Sequence, residues 1–196
     1  DKMLAELEEL LPVVCDLFDE YWEMSMSMKE RIGTWGDDQP AYYIASTGRS
    51  RPELDSSEIR ILGPDGRERA SFPPRLFRTY LDYEETEYSY AGQSSYQGEV
   101  MRANSLARIN LALSMGTPLA DEYLQKLTHT FGKPAHPILL FDLCRGIELV
   151  YAFERSIEML SKDLDYEDTS VPYSLKDGEG YGLVEAPRGP LIHHYT

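Results

Sequence analysis

Leu4, Leu7, Leu10, Leu11, Val14, Leu17, Phe18, Tyr21 and Trp22 recur every three or four residues, while Glu6, Glu8, Glu9, Asp16, Asp19 and Glu20 fill the other face. That spacing predicts a helix with one buried stripe. Pro12 lacks an amide donor, so it is expected to kink this helix or to open its second half. Met24, Met26 and Met28 alternate with serines at the helix end and read as flexible packing rather than a metal or groove site. After a loop over 33–39, residues 41–45 and 59–62 have strand composition, Pro64-Asp65-Gly66 makes a turn, and 67–72 return. Residues 41–72 therefore predict a small antiparallel sheet. Pro73-Pro74 ends it, and 76–80 form a short helix. Residues 82–97 combine four acids with four tyrosines and no period, and predict an irregular segment whose tyrosines pack on a neighbour.

The second half is helical. Leu106, Ile109, Leu111 and Leu113 make a short apolar helix ending near Gly116, and Thr117-Pro118 caps and opens the next, which runs from about 119 to 131. Gly132-Lys133-Pro134 stops it. From about 137 to 160 a long stripe, Leu140, Leu143, Cys144, Ile147, Val150, Tyr151, Phe153, Ile157 and Leu160, predicts a broad-faced, largely buried helix. An acidic loop begins after Asp163. Gly178, Gly180 and Gly182 follow as G-x-G-x-G, which is neither the dinucleotide spacing nor the start of a helix and so argues against a phosphate site. Extended segments over 183–186 and 191–195 bracket Pro187-Arg188-Gly189-Pro190, a tight loop presenting Arg188. No internal repeat is present.

The pattern gives an α+β fold, mainly α-helical with long helices packed as a bundle, a small antiparallel sheet and a short C-terminal strand-loop-strand. Residues 1–196 read as a single domain, with 41–72 as the sheet insertion, 104–163 as the helical core and 178–196 as the glycine-rich loop and the segment after it. Hydrophobic residues are 42% and aromatics 11% of the 196, enough for a packed core. The net charge of −15 opposes nucleic acid and anionic membrane partners, which need Lys and Arg to displace counterions. No apolar run nears the roughly 20 residues of a membrane helix, and the N-terminus has no leader pattern, so a cytoplasmic location is expected.

Candidate chemistry is sparse. Cys15 and Cys144 form no CxxC motif and read as buried apolar residues. No nucleophile arrangement is recognisable. His129 and His136 read as cap or core histidines, and His193 and His194 point to opposite faces of an extended strand, where they cannot both bind one metal. Arg145-Gly146-Ile147-Glu148 reads as a surface arginine with Glu148 as its partner and Gly146 permitting close helix contact.

Glu185-Ala-Pro-Arg-Gly-Pro-Leu-Ile-His-His-Tyr195 resembles the E-A-P-R-G-x-L-x-H motif of the catalytic large subunit of nickel-iron hydrogenases, and its ending resembles the cytosolic, cofactor-coupled branch. Leu106-Ala-Arg108-Ile-Asn110 resembles that family's L-A-R-x-N helix, Arg145 to Glu154 its R-x-I-E-x-x-Y-A-x-E helix, and Gly178 to Gly182 the glycine-rich approach to the loop. Four pieces in order are far more specific than one. They cover about residues 98 to 196, and the first half matches only as a helix followed by a small sheet. Where the family has Gly-Pro before L-A-R, this chain has Asn104-Ser105, which puts that turn in question. The resemblance implies reversible H2 oxidation at a nickel-iron centre with cyanide and carbon monoxide ligands, held in the intact subunit by two C-x-x-C pairs, neither of them in this sequence. The chain is therefore expected to be a middle portion of such a subunit, inactive and metal-free alone. Arg188 would lie over the centre as its catalytic neighbour, Pro187 and Arg188 would line the pocket of the iron-bound ligands, and Arg108 reads as structural. Implied partners are the iron-sulfur small subunit together with further electron-transfer subunits, with exposed apolar surface through which the portion self-associates. Two other readings stay open, a metal-free relative of the quinone-site subunit of respiratory complex I and a non-catalytic acidic helical interaction domain. Pro190 to His194 stand where the quinone-site subunit has G-E-x-G, which argues against the first.

Overall fold

A computed structural model describes residues 2–35, 39–48, 51–52, 57–162, 170 and 172–196. Part of the loop predicted over 33–39 and about half of the acidic loop after Asp163 lie outside them.

Helix α1 (Lys2–Ser27) runs through Pro12 as a single element, followed by the short α2 (Lys29–Thr34). The missing hydrogen bond leaves the carbonyl of Glu8 without its partner, and both residues are exposed, so water satisfies the group without a helix break. Strands β1 (Tyr42–Ala45), β2 (Ile59–Leu62) and β3 (Glu68–Phe72) pair antiparallel as the pattern requires. A turn of 3-10 helix and α3 (Phe77–Tyr80) then cross to β4 (Asp82–Thr86), β5 (Ser89–Tyr96) and β6 (Glu99–Arg102). Residues 82–97, expected to be irregular, are thus a β-hairpin. Its side chains are exposed on both faces until Tyr96, so no hydrophobic alternation marks it, and Tyr88 and Tyr90 stand in solvent instead of packing on a neighbour. The sheet is also mixed rather than wholly antiparallel. Its order is β3-β2-β1-β6-β5-β4, with β6 parallel to β1.

Helices α4 (Asn104–Leu111), α5 (Pro118–Phe131) and α6 (Phe141–Leu160) complete the helical part. Helix α4 ends before Leu113, which is 77% exposed. Asn104 holds φ +70°, a left-handed conformation that asparagine tolerates better than most residues, at the turn that the resemblance put in question. Thr117 does precede a helix opened by Pro118, yet its hydroxyl makes no capping bond. Glu154 of α6 caps α5 instead, accepting from the amides of Leu119 and Ala120 at 2.9 Å each.

Three apolar clusters hold these layers. Phe18 and Trp22 of α1 meet Leu124 and Leu127 of α5 and Leu143, Ile147 and Val150 of α6. Gly146 allows the closest approach, since a Cβ there would lie 2.0 Å from the Phe18 ring. Burial on α6 is complete only as far as Val150, beyond which its apolar side chains are partly exposed. Tyr43, Ala45 and Leu62 pack on Ala107 and Leu111 of α4. Ile44, Ile59, Ile61 and Phe72 face the other way, against Phe77 and against Leu183 and Ile192 of the C-terminal hairpin β7 (Gly180–Ala186) and β8 (Gly189–Tyr195). Both faces of β1 and β2 are therefore covered, which explains why β2 carries Arg60 at a buried position, paired with Glu68 at 2.7 Å.

Candidate functional site

The C-terminal hairpin is longer than the sequence suggests, because its glycine-rich approach enters β7 at Gly180. Ala186 pairs with Gly189, so Pro187 and Arg188 alone form the turn, and both are exposed. Gly189 holds φ +132°, a conformation open to glycine, and a Cβ on it would lie 2.8 Å from that of Ala103. The turn is thereby seated on the residue that leads into α4.

A buried ionic network fixes its other side. The Glu185 side chain is 1% exposed; its Oε2 accepts from the amide and hydroxyl of Ser46, each at 2.7 Å, and its Oε1 from Arg108 Nη1 at 3.0 Å. Arg108 also grips Glu148 of α6 with two parallel bonds, Nε to Oε1 at 2.5 Å and Nη2 to Oε2 at 2.8 Å, the fork geometry peculiar to arginine. Its Nη1 further reaches the carbonyls of Ala186 and Pro187 at 3.2 and 3.3 Å. Burial works against the Arg108 charge, but bonding and attraction to Glu148 and Glu185 outweigh it and raise its pKa. Arg108 is thus structural, as expected, and it acts directly on the turn.

Arg188 differs in every respect. Among the described residues its guanidinium has no hydrogen bond and no ion pair. It borders two open cavities, one of about 730 Å³ over Ile44, Phe77, Leu81 and Met101 and one of about 620 Å³ beside Pro40, Ile138 and Phe141.

Other candidates separate from this turn. Arg145 is a surface residue paired with Asp142 at 3.1 Å, so its expected partner is wrong: Glu148 serves Arg108 instead. Cys144 is fully buried and Cys15 only partly, a correction to the expectation that both are buried. Burial raises the pKa of both thiols, aided at Cys15 by Glu154, Asp19 and Asp16, so neither favours thiolate. His136 Nδ1 meets the Tyr43 hydroxyl at 2.7 Å, and His129 lies in the last turn of α5. His193 bonds the Tyr195 hydroxyl, while His194 stacks on Tyr181 and bonds Glu179 at 2.7 Å. The two adjacent imidazoles share no ligand geometry. Among the described residues no three His, Cys, Asp or Glu side chains are grouped to hold a metal, and no helix is long and apolar enough to cross a membrane. Ser46 as a partner of Glu185, and Glu148 as a partner of Arg108, carry no local sequence signal because they are 139 and 40 residues away.

No protein-family model matches the chain. Curated relatives do. It is 30% identical over 201 residues to a subunit of the F420-non-reducing hydrogenase vhu of Methanocaldococcus jannaschii, covering 100% of this chain and 48% of that one. It is 34% identical over 205 residues to NAD-reducing hydrogenase HoxS subunit beta of Cupriavidus necator, covering 98% and 41%. In fold it matches an NAD+-reducing [NiFe]-hydrogenase crystallised in the H2-reduced state, with a TM-score of 0.88, 22% identity and coverage of 99% of this chain and 45% of that one. The chain belongs to the nickel-iron hydrogenase large-subunit family. It spans about half the length of the curated relatives it matches. Within this large-subunit portion three of the four motif pieces converge: Arg108 from L-A-R-x-N, Glu148 from R-x-I-E and Glu185 from E-A-P-R-G form one bonded network.

Proposed function

We propose that this chain supplies the arginine turn beside the metal centre of a nickel-iron hydrogenase large subunit, and that the subunit oxidises H2 reversibly. The observation that carries the proposal is the contrast at one turn. The side chains of Pro187 and Arg188 project without hydrogen-bond partners among the described residues from a backbone that Arg108, Glu185 and Gly189 hold. A fold that spends a buried, doubly paired arginine on positioning a bare one has a use for the bare one outside its own packing.

When bound, the nickel-iron centre supplies the heterolytic cleavage of H2. Its cysteine ligands belong to the rest of the subunit, and the residues present here fit the group as a wall rather than as ligands. Arg188 offers five donors and no acceptor, which suits cyanide on iron, and Pro187 offers an apolar side with no N–H. Arg108 acts as a positioning residue through the carbonyls of Ala186 and Pro187. Residues 1–196 act as one folding unit of that subunit, which works in the cytoplasm and passes electrons through an iron-sulfur small subunit, then further electron-transfer subunits, to a soluble acceptor. The quinone-site and scaffold readings draw no support from relatives named as hydrogenase subunits.

Arg188→Lys in the intact hydrogenase is the test. H2 oxidation is expected to fall roughly 100-fold, because lysine loses the planar donor fork. Metal content and melting temperature stay unchanged, because the Arg188 guanidinium bonds nothing among the described residues. Undiminished turnover overturns the assignment, and so does activity lost only together with folding.

A further inference from the structure

Asn104 opens α4 at φ +70°, a backbone conformation that glycine reaches without strain and asparagine at a small cost. Glycine would hold the same turn, so what asparagine adds is its amide. The half-buried Asn104 lines the cavity of about 620 Å³ that Arg188 also borders, and its backbone nitrogen would lie 3.9 Å from a Cβ on Gly189, the residue after Arg188. The amide is held at one end. The hydroxyl of the buried Ser105 donates to Asn104 Oδ1 at 2.9 Å, with the Phe141 carbonyl as its other acceptor at 3.2 Å. That leaves Nδ2 with two N–H donors that meet no acceptor among the described residues. Arg102, the carboxylate of Glu99 and the apolar Pro40, Ile138 and Phe141 complete the cavity wall. Two guanidiniums and a free amide against one carboxylate suit an acceptor that carries negative charge.

We propose that Asn104 is a second hydrogen-bond donor to the group that Arg188 faces, the iron-bound cyanide of the nickel-iron centre, and that Ser105 is its positioning residue. The target rests on the reading of the arginine turn given above, whereas the free donor rests on the geometry of this chain alone. Arg188 and Asn104 come from two elements, the β7–β8 turn and the start of α4, and the close seat of Gly189 on Ala103 holds these in contact. The two donors therefore keep a fixed spacing. A role for Asn104 in shaping the turn alone predicts instead that glycine replaces it without effect.

Infrared spectroscopy of the intact, metal-loaded hydrogenase decides between these roles, since the stretching frequency of a cyanide responds to hydrogen bonds at its nitrogen. Asn104→Gly keeps the turn and removes the amide. The cyanide bands should shift with metal content unchanged, and H2 oxidation should fall roughly tenfold, the effect of one lost hydrogen bond to a charged group. Asn104→Asp also tolerates the left-handed turn but has no N–H, and should shift the bands as well. Ser105→Ala should broaden them, because the amide is no longer held in one orientation. Bands in Asn104→Gly that coincide with those of the unmodified enzyme overturn the assignment, whatever the turnover. Arg188→Lys in the same spectra separates this result from the reading it rests on. Bands that move with Arg188→Lys but not with Asn104→Gly refute the role of Asn104 alone, whereas bands indifferent to both refute the placement of the turn beside the centre.

Discussion

Arg108 serves two carboxylates and two carbonyls with one guanidinium, and the arrangement leaves little slack. Glu185→Gln replaces one acceptor oxygen by an NH2 group, which must face either the Ser46 donors or Arg108 Nη1. Arg108 keeps its fork on Glu148, so its charge stays compensated; the cost is that of a buried NH2 set against a buried donor, about 2 kcal/mol, read as a lower urea midpoint at unchanged slope. Ser46→Ala removes only the hydroxyl donor and should cost about 1 kcal/mol. If the glutamine variant costs no more than the serine variant, the network contributes less than its geometry indicates. Arg188 and its turn were legible in the sequence because the motif is contiguous, whereas the partners of Glu185 and Arg108 were not, because no local pattern states which distant residue a buried charge meets.

Among the elements, α6 shows what its end residues contribute. Hydrogen bonds from Arg155 and Lys162 hold the Glu158 carboxyl down at about 2, from an ordinary 4.5. A depressed carboxylate stabilises fully above its unfolded pKa and loses that effect as pH falls through its folded one. The last turn of α6 should therefore stay protected from amide exchange from neutral pH down to about 4.5 and fray progressively toward 2. Glu158→Gln should remove that dependence, and fraying that begins near neutral pH would contradict it. Helices α1, α5 and α6 were readable from their periodicity, and β1 to β3 from turn chemistry. The β4–β5 hairpin was not, since alternation reports burial on one face and this hairpin buries neither. The cap on α5 was misread for a related reason: Thr117 occupies the right position, but a carboxylate from α6 reaches the same amides.

Over the whole molecule, the helical cluster meets at Gly146 and the sheet at α4. Gly146→Ala would gain about 1 kcal/mol of helix propensity but drive a methyl into the Phe18 ring, and overpacking of this kind costs about 1 to 3 kcal/mol. Net destabilisation is expected in thermal melts, with recovery when Phe18→Leu makes room; a more stable single variant would show that α1 can shift on α6. The network at Glu185 joins residues 46, 108, 148 and 185, which lie just past the end of β1 and on α4, α6 and β7. Contacts so distant in sequence form late, after the closure of the loops between them. A carboxylate desolvated before Arg108 arrives would be buried uncompensated, so the hairpin can dock only onto a chain in which β1, α4 and α6 already stand together. Assembly thereby acquires an order: the arginine turn is displayed last, and only by molecules that have folded correctly beneath it.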